Sequence, residues 1–190
     1  MRRPVELPRA SRLLNHGPTV LVSAAHEGRR DVMAAAWAMP LDFDPPKVAV
    51  VVDRQTFTRG LIDASGTFTL QVPTVAMKDL VQSVGTRSGR ELDKFAAWGI
   101  GTAEGTLPGV PLIDGCIAWL ECRVISDRVL AEGHDLFLGE VVAAWADDRV
   151  WRDHRWRFDE ADPSLRTLHH VAAGHYFTLG EAVRGEVLPG

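Results

Sequence analysis

Residues 17–52 read GPTVLVSAAHEGRRDVMAAAWAMPLDFDPPKVAVVV, and this stretch decides the fold. Residues 18–25 (PTVLVSAA) and 31–39 (DVMAAAWAM) are short and apolar, and His26-Glu27-Gly28-Arg29-Arg30 between them has hairpin character. The pattern predicts two antiparallel strands. Three successive alanines, Ala34, Ala35 and Ala36, leave little bulk on the second, so a neighbouring backbone or a flat ligand can come close. A tightly packed core would use alanine as well. Asp44-Pro45-Pro46 then stops the chain from continuing as helix or central strand, and residues 47–53 (KVAVVVD) resume as a buried strand.

After Asp53 the period changes. Phe57, Leu61 and Ile62 share a helical face and Gly66 supplies the stop. Residues 67–72 (TFTLQV) alternate as a strand, and beyond Pro73 a second helix is marked by Met77, Leu80, Val81 and Val84. Residues 99–115 hold five glycines and two prolines and predict an irregular crossing. Residues 117–130 and 134–146 alternate and are rich in β-branched side chains, which predicts an antiparallel pair turning at Ala131-Glu132-Gly133. The tail is polar from 147 to 163 and amphipathic again over 168–179. Neither an internal repeat nor a low-complexity segment is present.

With 190 residues, 46% of them hydrophobic and 24% charged, the chain is expected to be one domain, 1–190, with a core at about 16–146 and a C-terminal extension at 147–190. A formal charge of −4 with scattered basic residues argues against nucleic acid as a partner. The apolar runs are far shorter than the roughly 18 to 20 residues a membrane span needs. The N-terminus MRRPVELPRASRLL is broken by prolines and charges before any signal-like apolar run, so a cytoplasmic location is the default expectation. Cys116 and Cys122 lack the spacing of a zinc site and are read as reduced thiols, on one face of a strand by their even separation.

The motifs of common enzyme classes are missing: no GxSxG elbow, GxxxxGK[ST] loop, HExxH or strand-following GxGxxG occurs. The seven histidines form no convincing metal set, although His169, His170 and His175 are close in sequence. The absence of those motifs turns attention to a bound cofactor. Two segments could cradle a phosphate at a helix start, where free N–H groups attract anions. One is residues 54–59 (RQTFTR), and the other is residues 85–90 (GTRSGR) followed by the short charged helix expected in ELDKF. Thr56 and Ser88 could equally be simple N-caps.

In order along the chain come GPTVLVSA (17–24), DVMAAAW (31–37), DPPKVAVVV (44–52), RQTFTRGLI (54–62), TFTLQVP (67–73), SGRELDKF (88–95), WLECRV (119–124) and GHDLFLGEV (133–141). This succession resembles the flavin reductase-like, FMN-binding split-barrel family that includes the flavoredoxins. It departs at Asp31, where the family commonly has Asn, and at 33–36, which lack the usual Thr or Ser. Both departures remove side-chain hydrogen bonds to flavin, leaving backbone contacts.

The resemblance implies a mainly β fold with helical excursions, a Greek-key split barrel that binds FMN and dimerises with the flavin cleft at the two-fold interface. It puts the flavin ring against Ala34, Ala35, Ala36 and Trp37, and the phosphate near Arg54, Thr56, Thr58, Ser88, Gly89 and Lys94. Trp37 is otherwise a core tryptophan and Lys94 a solvated helix lysine. It places His134 near the flavin and the nicotinamide, the alternative being an ordinary turn histidine. The implied activity is hydride transfer from NAD(P)H to FMN and on to an acceptor, a partner monooxygenase among the candidates. The protein in that chemistry supplies position, electrostatics and exclusion of water, so no catalytic triad is needed. An FMN-binding electron carrier without nicotinamide activity is the runner-up, and a flavin-free barrel the third reading.

Overall fold

The computed structural model describes residues 1–126 and 128–188. In chain order the elements are β1 (Arg2–Pro4), β2 (Val20–His26), β3 (Arg29–Ala35), β4 (Ala38–Phe43), β5 (Pro46–Val51), α1 (Phe57–Ser65), β6 (Thr67–Val72), α2 (Lys78–Thr86) and α3 (Lys94–Trp98). They continue with β7 (Thr102–Ala103), β8 (Leu112–Ile113), β9 (Ala118–Val124), α4 (Arg128–His134), β10 (Leu136–Asp147), β11 (Trp151–Arg152), β12 (Arg155–Trp156), β13 (Leu168–Ala172) and β14 (His175–Thr178).

The main sheet has eight strands in the order β3-β2-β6-β9-β10-β5-β4, with β1 added beside β10 and every pairing antiparallel. Its two edge strands, β3 and β4, are consecutive in the chain and separated only by Ala36-Trp37. Three peptide steps span at most roughly 11 Å, so the sheet must curl until its edges meet. The result is a barrel split at one seam. Trp37 O accepts from Val51 N at 3.0 Å and ties the seam to β5.

The alternation of β2 builds the two sides of this wall. Val20, Val22 and Ala24 point into the barrel with Phe68, Leu70, Leu120 and Phe137, while Leu21 points outward to Val32, Val81, Phe95, Trp119 and Leu168. Burial on both faces explains why residues 18–25 read as a continuous apolar run. On the outer side, buried Gln71 gives Nε2 to Ser23 Oγ (2.8 Å) and takes Ile113 N on Oε1, which anchors the irregular crossing to the sheet. The β2–β3 hairpin turns on Glu27 and Gly28, both with positive φ (48° and 77°), as a two-residue turn that matches strand twist requires. α1 ends at Gly66 in the left-handed conformation, and β6 covers residues 67–72; both agree with the sequence pattern.

Four expectations change. Residues 31–39 are two strands broken at the seam. The strand expected over 117–130 stops at Val124, and Ala131-Glu132-Gly133, expected as its turn, lies inside α4; Asp127 lies outside the described residues. Arginines from α1 and the loop before it stabilise that helix end: Arg59 Nη2 donates to Ala131 O and Arg54 Nη2 to Glu132 O, each at 2.8 Å. Cys122 joins the barrel interior and Cys116 the outer cluster, so the two do not share a face; burial raises both thiol pKa values. Finally, the core continues past 146, because Val150 and Phe158 pack inside with the barrel and Leu168 in the outer cluster.

Candidate functional site

A cavity of about 680 Å³ opens beside the seam. One wall is the end of β3 and the seam itself, where Ala34, Ala35, Ala36 and Trp37 all line the space. β3 pairs with β2 on one side only, so backbone groups on its free edge have no strand partner. α2 forms a second wall through Val81, Gln82, Gly85 and Thr86. It comes close because Gly85 has no side chain: a Cβ there would sit 3.2 Å from Ala34 Cβ. The rim carries Asp53, His134 and Asp135, and the β13–β14 hairpin closes a further side with His170 and Tyr176. Two carboxylates and two imidazoles, with no lysine or arginine, are thus the ionisable lining groups apart from Tyr176.

Trp37 is 74% exposed and is therefore not a core tryptophan. His134 is exposed in the last turn of α4 and faces the cavity from a helix end instead of a strand-to-strand turn.

The first phosphate-capable segment holds together at the start of α1. Thr56 is the N-cap: its Oγ1 accepts from Arg59 N (3.2 Å) and donates to Asp53 O (2.8 Å). Arg54 stands beside it, with Nε 3.2 Å from Asp135 Oδ1. Arg90 reaches over from the loop after α2, donating to Gln55 O and, at 3.4 Å, to Thr56 O. Two guanidinium groups therefore flank a helix N-terminus whose first amides lack an intrahelical acceptor. Asp53 joins this turn to the cavity rim.

The second segment is arranged differently. Gly85 and Thr86 finish α2, and the next helix starts only at Lys94, capped by Asp93 through Phe95 N (3.0 Å) and Ala96 N (3.2 Å). Ser88 Oγ accepts from Arg90 N at 3.2 Å and shapes the intervening loop. Thr58, Gly89 and Lys94 do not line the cavity but converge on Asp31. Thr58 Oγ1 donates to Asp31 Oδ2 at 2.8 Å, Lys94 Nζ lies 3.2 Å from Oδ1, and a Cβ on Gly89 would fall 2.6 Å from Oδ1. Lys94 Nζ also donates to Val32 O (2.6 Å) and Val84 O (3.1 Å), so its three hydrogens all meet protein acceptors. Burial lowers the pKa of this ammonium and Asp31 opposes the shift. Lys94 is neither a solvated helix lysine nor free to reach a ligand, and the Asp at 31 supplies the reason: its carboxylate takes the charge.

The residues that sequence reasoning did not select are Arg90, Gln82, His170 and Tyr176. Arg90 was within reach, inside the segment GTRSGR. The others required knowing that α2 and the amphipathic tail meet at the seam.

Residues 12–160 match the model of the flavin reductase like domain. The chain belongs to this family. A crystal structure from Shewanella baltica OS155, described as an FMN-binding domain of a flavin reductases-like enzyme, superposes with a TM-score of 0.95 at 44% identity over 98% of each chain. The flavoredoxin of Desulfovibrio vulgaris (Miyazaki F) gives a TM-score of 0.77 at 26% identity, covering 89% of this chain and 90% of that one. The Escherichia coli K12 protein YddH, itself uncharacterized, is 49% identical over 183 residues, which span 95% of this chain and 96% of YddH. The family and its split-barrel fold are those the motif order implied. Among the described residues no three His, Cys, Asp or Glu side chains are grouped to hold a metal, and no helix is long and apolar enough to cross a membrane.

Proposed function

We propose that this chain binds one FMN at the seam and acts as a flavin reductase, taking hydride from NAD(P)H and passing it to an acceptor such as a partner monooxygenase. The observation that carries the reading is an alanine-walled cavity whose rim residue Asp53 immediately precedes a cationic helix start in the chain. At about 680 Å³ the cavity is in the usual range for cofactor sites, roughly 300 to 1,000 Å³. Its alanines let a flat ring approach the free backbone edge of β3. Arg54, Arg90 and the first amides of α1 suit a phosphate, which needs charge-assisted donors once desolvated, while Thr56 caps the helix that presents them. The residues present therefore fit FMN, with Thr58, Gly89 and Lys94 supporting the walls from behind through Asp31.

Bound FMN would supply the hydride acceptor that no side chain provides. The remaining work belongs to the protein: Ala34, Ala35 and Ala36 keep one face of the cavity flat, and His134 offers a hydrogen bond to an incoming nucleotide. Trp37 stands at the open side.

A homodimer is part of the proposal. Trp37, Met39, Leu41 and Phe43 alternate along the seam and edge strand β4 and are all exposed, forming an apolar row that starts at the cavity. Such a row on an edge strand calls for a cover, and a second copy laid along it would shield the open side of the site.

Titration of the purified chain with FMN tests the reading. Stoichiometric uptake, seen as a perturbed flavin absorption spectrum, is expected. A colourless protein that takes up no FMN would end both the reductase and the electron-carrier readings.

A further inference from the structure

Both strands of the β13–β14 hairpin are hydrogen-bonded to the cavity walls. At its base Thr19 N donates to Leu168 O (2.8 Å) and His170 N donates to Thr19 Oγ1 (3.0 Å). On the facing strand, opposite His170, the Tyr176 hydroxyl donates to Gln82 Oε1 at 3.0 Å. Gly174 lies over the same amide, where a Cβ would come within 3.2 Å of Gln82 Cδ. The His170 ring meets Tyr176 edge-on at 5.3 Å and limits where the phenol can go.

The Gln82 carboxamide meets this hydroxyl with its oxygen. Oε1 is occupied by the hydroxyl, so Nε2 is left as a donor, and it has no partner among the described residues. Gln82 is half-buried and lines the cavity. An oriented amide donor in a largely apolar cavity, among carboxylates and without a lysine or arginine, suits a neutral carbonyl oxygen better than an anion.

We propose that Gln82 Nε2 donates a hydrogen bond to a carbonyl oxygen of the flat heterocycle bound at the seam, with Tyr176 as the residue that positions it. The inference rests on the flavin reading. Two ring systems in that reading carry such an oxygen: the isoalloxazine itself and the carboxamide of the nicotinamide.

The test uses the full chain and two variants. Gln82→Met keeps length and packing but removes the donor; Tyr176→Phe keeps the ring and removes the hydroxyl. Dissociation constants are measured by calorimetry for riboflavin, for FMN and, on FMN-loaded protein, for NAD+, together with the visible spectrum of bound flavin. A lost neutral hydrogen bond corresponds to roughly 3- to 10-fold weaker binding. Weakening of riboflavin and FMN alike, with a displaced flavin absorption band, supports the inference with the flavin as the carbonyl source. Weakening of NAD+ alone supports it with the nicotinamide as source. If Gln82→Met leaves all three affinities and the spectrum unchanged, the inference is overturned while the flavin reading stands. If Gln82→Met weakens binding and Tyr176→Phe does not, the positioning role of Tyr176 is overturned. Failure of the unmodified chain to take up any flavin overturns the flavin reading and the inference with it.

Discussion

Lys94 Nζ lies 3.2 Å from Asp31 Oδ1, and the two side chains are 2% and 3% exposed. The pair joins α3 to β3, and through Val84 O it also holds the end of α2. Two walls of the cavity are thus fastened at one ammonium group behind the ligand space. Removing one member of a buried pair leaves the other uncompensated, at a cost of about 3 to 5 kcal/mol.

Lys94→Met should therefore lower the melting temperature by roughly 10 °C. Any loss of flavin affinity should be the same for FMN and for riboflavin, because Lys94 has no donor left for a phosphate. A thermal melt and paired titrations measure both effects. Selective weakening of FMN would put Lys94 in contact with the phosphate.

Arg90→Ala should do the opposite. Fold stability should barely change, since the side chain is exposed and bonds only to two loop carbonyls. FMN should bind more weakly by about 1.5 to 3 kcal/mol, the worth of a charge-assisted hydrogen bond, with riboflavin nearly unaffected. Equal effects on the two ligands would remove the α1 N-terminus from the phosphate site.

His134→Ala should leave the FMN dissociation constant nearly unchanged while raising the apparent KM for the nicotinamide nucleotide or slowing flavin reduction. The motive is its place on the rim, exposed and on the cavity side of α4. Unaltered reduction kinetics at saturating FMN would leave it a helix-terminal histidine only.

How much of this was legible follows the range of the interactions. β6 and the end of α1 are set by local pattern and a left-handed glycine, and both could be read directly. The break at Ala36-Trp37 could not, because nothing in DVMAAAWAM is a turn signal; the chain breaks there because the barrel closes. The sequence pattern over α4 suggests a strand end and a turn, because Val129 and Leu130 continue the alternation of β9 and Ala131-Glu132-Gly133 carries a turn signal, whereas the carbonyls of the helix are satisfied by Arg54 and Arg59 from distant parts of the chain. The alanine wall and the α1 turn of the candidate site were visible as sequence. Lys94 was not, since its partner Asp31 lies 63 residues away, and the hairpin wall was hidden for the same reason.

Acid should destabilise the fold through His16. It packs against Trp156, Phe158 and His169, and both ring nitrogens lack partners among the described residues. Burial first, and His169 second, lower its pKa from 6.5 to about 4. The folded-state pKa is depressed, so the unfolded chain binds the proton first as pH falls. The stability that His16 contributes is fully present above pH 6.5 and is lost progressively down to about pH 4. The loss amounts to roughly 3 kcal/mol. Chemical denaturation across that window, with His16→Phe as the comparison, should show a flatter pH dependence in the variant.

The central claim, that the seam cavity holds FMN for reduction by a nicotinamide nucleotide, is tested most directly by anaerobic stopped-flow mixing of the FMN-loaded chain with NADH and, separately, NADPH. Bleaching of the flavin band by at least one donor, at a rate that saturates with its concentration, is the predicted result. Loaded protein whose flavin band persists with both donors, yet bleaches with dithionite, would contradict the reductase reading and leave an FMN-binding electron carrier.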